Sequence, residues 1–161
     1  MILGLCGSLR QNSLNRMALT ALQSKVPELV IWDGMGQLPL FNPDEEFVPN
    51  EFVDDFRQNL RAAKVVIIAS PEYAHGVTGV MKNALDWVVG SGEFMQKQTV
   101  VVNCSGSATI ANLALRETLS VMEAHVIPLT LPLRSHGTTL EQVLEHPQFA
   151  DILAFLETVS H

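Results

Sequence analysis

Ile2-Leu3-Gly4-Leu5-Cys6-Gly7-Ser8-Leu9-Arg10-Gln11-Asn12-Ser13-Leu14-Asn15-Arg16 is the stretch that decides the architecture. A short apolar run ends at Gly7, small and polar residues follow, and Leu14, Met17, Ala18, Ala21 and Leu22 then recur at helical spacing. A strand feeds a loop, and the loop opens a helix. The first turn of a helix has unpaired backbone N–H groups and partial positive charge, which favour an anion. Ser8 and Ser13 add hydroxyls, Asn15 an amide, and Arg10 and Arg16 full charges. Phosphate suits that set. A purely structural reading stands beside it: Ser13 or Asn12 as helix cap, Gly7 as turn residue, both arginines solvated. The pattern is neither GxxxxGK[ST] nor GxGxxG, so the loop alone does not say what carries the phosphate.

The chain has 161 residues, enough for one domain over 1–161 to bury a core without staples. Apolar residues make up 47% and charged ones only 17%, a balance that suits a sheet covered on both faces. The formal charge of −7 argues against nucleic acid or an anionic membrane as partner. It also leaves Arg10 and Arg16 to hold any anion against the general field. Cys6 and Cys104 each end an apolar run and are expected to be free thiols, because the topology below puts a strand between them. No CxxC or zinc-type spacing occurs. The five histidines, at 75, 125, 136, 146 and 161, are scattered and read as surface or loop residues. The first apolar run is too short for a signal segment, and the longest aliphatic run, Val65 to Ala69, is far below spanning length. The expected location is cytoplasmic.

Leu29 to Trp32 reads as a second strand, followed by a long connection, Met35 to Asn50, carrying Pro39, Pro43 and Pro49. Connections of that length are usually functional or pinned to a neighbour. A helix starts near Asn50 with Phe52, Phe56 and Leu60 inward. Lys64 to Ala69 lacks alternation and is β-branched, as in a strand buried on both faces. Ser70 to Gly76 forms the next loop, and Thr78 to Val89 a helix. Thr99 to Asn103 is a fourth strand, Cys104 to Ser107 its loop, and Thr109 to Glu123 a helix. Val126 to Leu129 is a fifth strand that Pro128 places at an edge. Short and long helices near 140–144 and 147–159 close the chain, the last with an inward stripe of Ile152, Phe155, Leu156 and Val159. Five strands alternating with helices predict an α/β three-layer sandwich with a parallel sheet, of flavodoxin-like order 2-1-3-4-5. Ligands of such sheets sit beyond the strand C-termini where strand order switches. There the loops 7–13, 71–76 and 104–107 converge.

Gly7-Ser8-Leu9-Arg10, with Ser13 and Asn15-Arg16, resembles the phosphate loop of the NADPH-dependent FMN reductases, a family that includes quinone, chromate and azo-dye reductases. Ser70-Pro71-Glu72-Tyr73 and Gly79-Val80-Met81-Lys82-Asn83-Ala84-Leu85-Asp86-Trp87 resemble its second motif, and Leu38 to Asp44 its long second-strand loop. The likeness runs through roughly residues 1 to 110. It implies FMN, with the phosphate on Ser8, Arg10, Ser13, Asn15 and Arg16. The isoalloxazine then lies along Pro71, Glu72, Tyr73, Ala74, His75 and Gly76, with Ser105, Gly106 and Ser107 opposite. By the same resemblance NADPH or NADH is co-substrate, and the electrons pass to a small acceptor such as a quinone, free flavin, azo compound or metal oxyanion. The competing reading is an FMN-binding carrier or sensor without nicotinamide turnover. The family's subunits pair across the flavin cleft, which implies a homodimer or homotetramer, with the long loop and third helix as contacts. Hydride transfer from a nicotinamide needs no protein base, so Glu72 is given a backbone and orienting role only. Trp32 and Trp87 are read as buried packing, and Lys82, Asn83 and Asp86 as a solvated face or subunit contact. Two positions depart from the family pattern: Ala74 stands where Asn is common and Thr78 where Pro is. Ala74 removes one side-chain amide, a loss of about 0.5–1.5 kcal/mol of hydrogen bonding.

Overall fold

The computed structural model describes residues 1–133 and 137–159. In chain order the first half runs β1 (Ile2–Cys6), α1 (Leu14–Lys25), β2 (Leu29–Trp32), α2 (Glu51–Ala62), β3 (Val65–Ala69), β4 (Glu72–Tyr73) and β5 (Gly76–Val77). The second half runs α3 (Gly79–Val89), β6 (Gln98–Asn103), α4 (Ile110–Val121), β7 (His125–Thr130), α5 (Leu140–Leu144) and α6 (Pro147–Val159). The five long strands form one parallel sheet in the order β2-β1-β3-β6-β7. That is the expected 2-1-3-4-5 once the small hairpin β4–β5 takes two numbers. Alternate side chains divide between the two faces. Leu3, Leu5, Val66, Ile68 and Val101 join α2, α3 and α4, whereas Ile2, Cys6, Ile67, Val100 and Val102 join α1, α5 and α6. Every residue of β1 and β3 is buried, which is why neither shows polar alternation.

Local chemistry fixes where the helices begin. Asn50 Oδ1 accepts from the N–H groups of Phe52 and Val53, and Thr139 with Gln142 builds a full capping box on α5. Thr78 is the helix cap that Pro would have replaced: its Oγ1 accepts from Met81 N. Its hydroxyl also donates to Gly7 O at 2.7 Å, tying α3 to the first loop. Among the described residues β7 pairs only with β6, and Pro128, lacking an N–H, is carried at that edge. The sequence boundaries of α4 overshoot. The helix ends at Val121, and Glu123 turns the chain with φ 59°.

Two local features depart from the sequence expectation. The segment 70–77 is not a plain loop but an antiparallel hairpin, Glu72–Tyr73 against Gly76–Val77, turned by Ala74 and His75 at φ 50° and 60°. A tight hairpin turn normally announces itself by Asn-Gly or Gly-Gly; Ala-His carries no such signal. Asn83 is half-buried and hydrogen-bonded rather than part of a solvated face. Its Nδ2 donates to Pro39 O at 2.9 Å and its Oδ1 accepts from Phe41 N at 2.8 Å. Trp87 Nε1 donates to the same Pro39 carbonyl at 2.7 Å. The long second-strand connection is thereby pinned across α3. Lys82 and Asp86 do form a partly exposed pair one turn apart. Both tryptophans are buried, Trp32 against Phe56 and Trp87 edge-on to Phe41. Of the histidines, His75 and His125 are exposed and His146 is half-buried between α5 and α6; His136 and His161 lie outside the described residues.

Candidate functional site

A cleft of about 580 Å³ opens beyond the C-terminal ends of β1, β3 and β6. That volume lies inside the range of about 300–1,000 Å³ typical of small-molecule sites. Its floor is the loop from β1 to α1. Ser13 Oγ accepts from Asn15 N at 3.2 Å and so caps α1, while Ser8 Oγ accepts from Arg10 N at 3.3 Å and lies 3.4 Å from Tyr73 Oη. The loop leaves the sheet through Gly7, whose N–H donates to Ala69 O at 2.9 Å. A Cβ there would sit 2.1 Å from Ser70 Oγ, so only glycine lets the two loops lie this close.

Of the residues singled out from sequence, Ser8, Arg10, Ser13 and Asn15 line the floor, Pro71, Glu72 and Tyr73 one wall, and Ser105 and Ser107 the other. Ala74, His75 and Gly76 form the hairpin tip and Gly106 the loop bend, away from the lining. Arg16 is turned away as well. It is ion-paired with Asp33 at the end of β2 and faces a separate hollow of about 350 Å³ that also holds Trp32 and Met35. Arg10 borders both spaces.

Some of the lining escaped the sequence reading. Leu14 and Met17 stand one turn apart on α1, and Ser70 and Cys104 begin loops that were recognised, so spacing could have found them. Leu133, Gly137 and Thr138 come from the β7–α5 connection, and no local signal assigns that segment to the cleft. α5 packs beside α1, which keeps Gly137 and Thr138 near the cleft.

Two buried polar atoms on the cleft have no hydrogen-bond partner among the described residues, Asn15 Oδ1 and Ser70 Oγ. The same holds away from the cleft for Arg57 Nε and His146 Nδ1. Glu72 is the opposite case. Its Oε2 accepts from Ala111 N at 2.8 Å and its Oε1 meets His75 Nδ1 at 3.0 Å. The Ala111 N–H, then His75, holds its carboxyl below the ordinary 4.5. Burial pushes the Cys104 thiol up to about 12 and raises that of Cys6. Both thiols are free, and neither is suited to act as a nucleophile at neutral pH. Among the described residues no group of three or more His, Cys, Asp or Glu is placed to hold a metal.

Comparison with known proteins agrees with this geometry. The chain is 36% identical over 143 residues to an NAD(P)H-dependent FMN reductase of Pseudomonas aeruginosa, covering 81% of this chain and 74% of that one. It is 37% identical over 128 residues to a quinone reductase of Pseudomonas putida, covering 73% and 68%. Among solved structures it superposes on FerB, a flavoenzyme NAD(P)H:(acceptor) oxidoreductase from Paracoccus denitrificans, with a TM-score of 0.78 at 23% identity over 98% and 93% of the two chains. A flavodoxin from Pseudomonas aeruginosa shares the fold at a TM-score of 0.61, 15% identity and coverage of 97% and 98%. The family model described as NADPH-dependent FMN reductase matches residues 1–138. With that match spanning the phosphate-type loop, the hairpin and the third loop alike, the chain belongs to the NADPH-dependent FMN reductase family.

Proposed function

We propose that the cleft described above is where this NAD(P)H-dependent FMN reductase holds FMN, and that reducing equivalents from NADPH or NADH leave it for a small acceptor such as a quinone. The carrying observation is the convergence of Ser8, Arg10, Ser13 and Asn15 at the capped N-terminus of α1 on the same cleft that Pro71, Glu72 and Tyr73 line. Ser8, Arg10, Ser13 and Asn15 supply charge and donors for a phosphate, joined by the first-turn amides of α1. Arg16, engaged by Asp33, braces the loop rather than gripping the anion. Pro71, Glu72 and Tyr73 offer one wall to a flat ring, with the backbone of Ala74, His75 and Gly76 behind, and Ser105 and Ser107 form the other, with Gly106 at the bend between them. FMN when bound supplies the hydride chemistry, and the protein's share is orientation and exclusion of water.

The test is spectroscopic. The purified protein is expected to be yellow, to bleach when NADPH or NADH is added, and to regain colour with a quinone. Colourless protein that ignores added FMN would overturn the reading. Flavin reduced only by partner proteins, never by a nicotinamide, would make the chain a carrier.

Residues 1–161 are read as one FMN-binding domain. Its partners are small molecules, and the net charge of −7 speaks against nucleic acid and anionic membranes. The two free thiols fit a reducing cytoplasm. Leu40 and Phe47 of the pinned long loop are 85% and 88% exposed, which favours a homodimer or homotetramer through that loop and α3. Sedimentation of the parent and of a Leu40→Ser, Phe47→Ser double variant checks this: the variant sediments as a monomer.

A further inference from the structure

Glu72 is the one carboxylate among the described cleft-lining residues. Beside a site for a phosphorylated ligand a bare negative charge is unfavourable, yet this one is held ionised. Its two oxygens reach different elements. Oε2 takes the Ala111 N–H in the first turn of α4, and Oε1 takes His75 at the tip of the β4–β5 hairpin. Thr109, at the N-cap of α4, makes no side-chain capping bond among the described residues, so the cap comes from Glu72 of the hairpin that packs beside α4. The loop from Cys104 to Thr109 runs directly into that helix turn. The hairpin needs outside support. It has only two residue pairs, and both turn residues are non-glycine in the left-handed region, a conformation that persists where surroundings enforce it.

We propose that Glu72 is a positioning residue that clasps the two facing walls of the cleft, fixing the hairpin against the Cys104–Thr109 loop at the separation a flat ligand needs. His75 keeps the carboxylate turned so that its other oxygen stays on Ala111. The proposal rests on the FMN reading for its ligand but not for its geometry. A clasp depends on shape and hydrogen bonding more than on charge, and glutamine retains both. Its oxygen can accept from Ala111, and its NH₂ can donate to Nδ1 of a neutral His75.

The experiment compares the parent chain with Glu72→Ala, Glu72→Gln and His75→Ala. FMN is titrated into each apo-protein by quenching of flavin fluorescence, and hydrogen exchange is followed at the Ala108 and Ala111 amides. Glu72→Ala raises the FMN Kd about tenfold and speeds exchange at both amides, whereas Glu72→Gln stays within about threefold of the parent. Unchanged affinity or exchange in Glu72→Ala, or a glutamine variant as weak as the alanine one, would overturn the clasp. Should Glu72→Ala fail to fold, His75→Ala decides: it leaves the Ala111 bond but frees the second oxygen, and faster exchange at Ala111 is expected. Unchanged exchange there also overturns the clasp. A parent chain that binds no FMN refutes the proposed function instead, while the exchange rates, which need no flavin, still decide on the clasp.

Discussion

Arg10 and Arg16 look equivalent in the sequence, yet the fold separates their roles. Arg10 borders the cleft, and Arg16 pairs with an Asp33 carboxylate that is 71% exposed. An exposed pair of that kind is worth about 0–1 kcal/mol, whereas a hydrogen bond to a charged ligand group contributes about 1.5–3 kcal/mol. Arg10→Ala is therefore expected to weaken FMN binding by about ten- to a hundred-fold. Arg16→Ala costs less than about fivefold, and titration of the two apo-proteins checks the contrast. Equal losses would return Arg16 to the phosphate. Glu72 predicts an acid response at the same scale. Its folded carboxyl is held below the ordinary 4.5, so the stability it contributes is complete above that pH and fades as pH falls through the depressed value. The unfolding free-energy difference between the parent and Glu72→Gln is expected to shrink in denaturant melts taken progressively below pH 4.5.

Among the elements, α3 does more than cover the sheet. One face packs Met81, Ala84, Leu85 and Val88 into the core, and Asn83 and Trp87 reach sideways to hold the β2–α2 connection. Arg57 of α2 adds bonds to the carbonyls of Glu46 and Trp87, at 3.2 and 2.8 Å. Leu40 and Phe47 are thus held out in solvent by a backbone that is itself firmly anchored. Asn83→Ala removes two of those bonds and strands the Phe41 N–H, so a loss of about 2–3 kcal/mol in urea unfolding is expected. Lys82→Ala, on the exposed pair one residue away, is expected to cost at most about 0.5 kcal/mol. Similar losses for the two variants would mean that the connection is held by something other than Asn83.

For the molecule as a whole, the sheet order keeps Cys6 and Cys104 apart: β3 lies between the strands they follow. Burial raises both thiols, Cys104 to about 12, so neither offers thiolate to reagents at neutral pH. Alkylation by iodoacetamide is expected to track global unfolding and to be negligible in the native protein, with mass spectrometry showing no disulfide in non-reduced samples. Rapid labelling of Cys104 before unfolding would show that the cleft breathes enough to expose the base of its Cys104–Ser107 wall.

The sequence by itself determined the layers and the place of the site. Unbroken apolar strands can be buried on both faces only by helices on both sides, and a strand–loop–helix with Ser8, Arg10 and Ser13 puts donors at one helix end wherever that unit is folded. The caps at Asn50 and Thr78 were equally readable, because capping is a contact between near neighbours. What only the tertiary structure decided involves partners far apart in the chain. Asp33 claims Arg16, Ala111 claims Glu72, Pro39 claims Asn83, and Leu133, Gly137 and Thr138 join the cleft lining. Local pattern fixes which groups a residue can offer. Which partner takes them depends on strand order and helix packing, and those are properties of the assembled sheet.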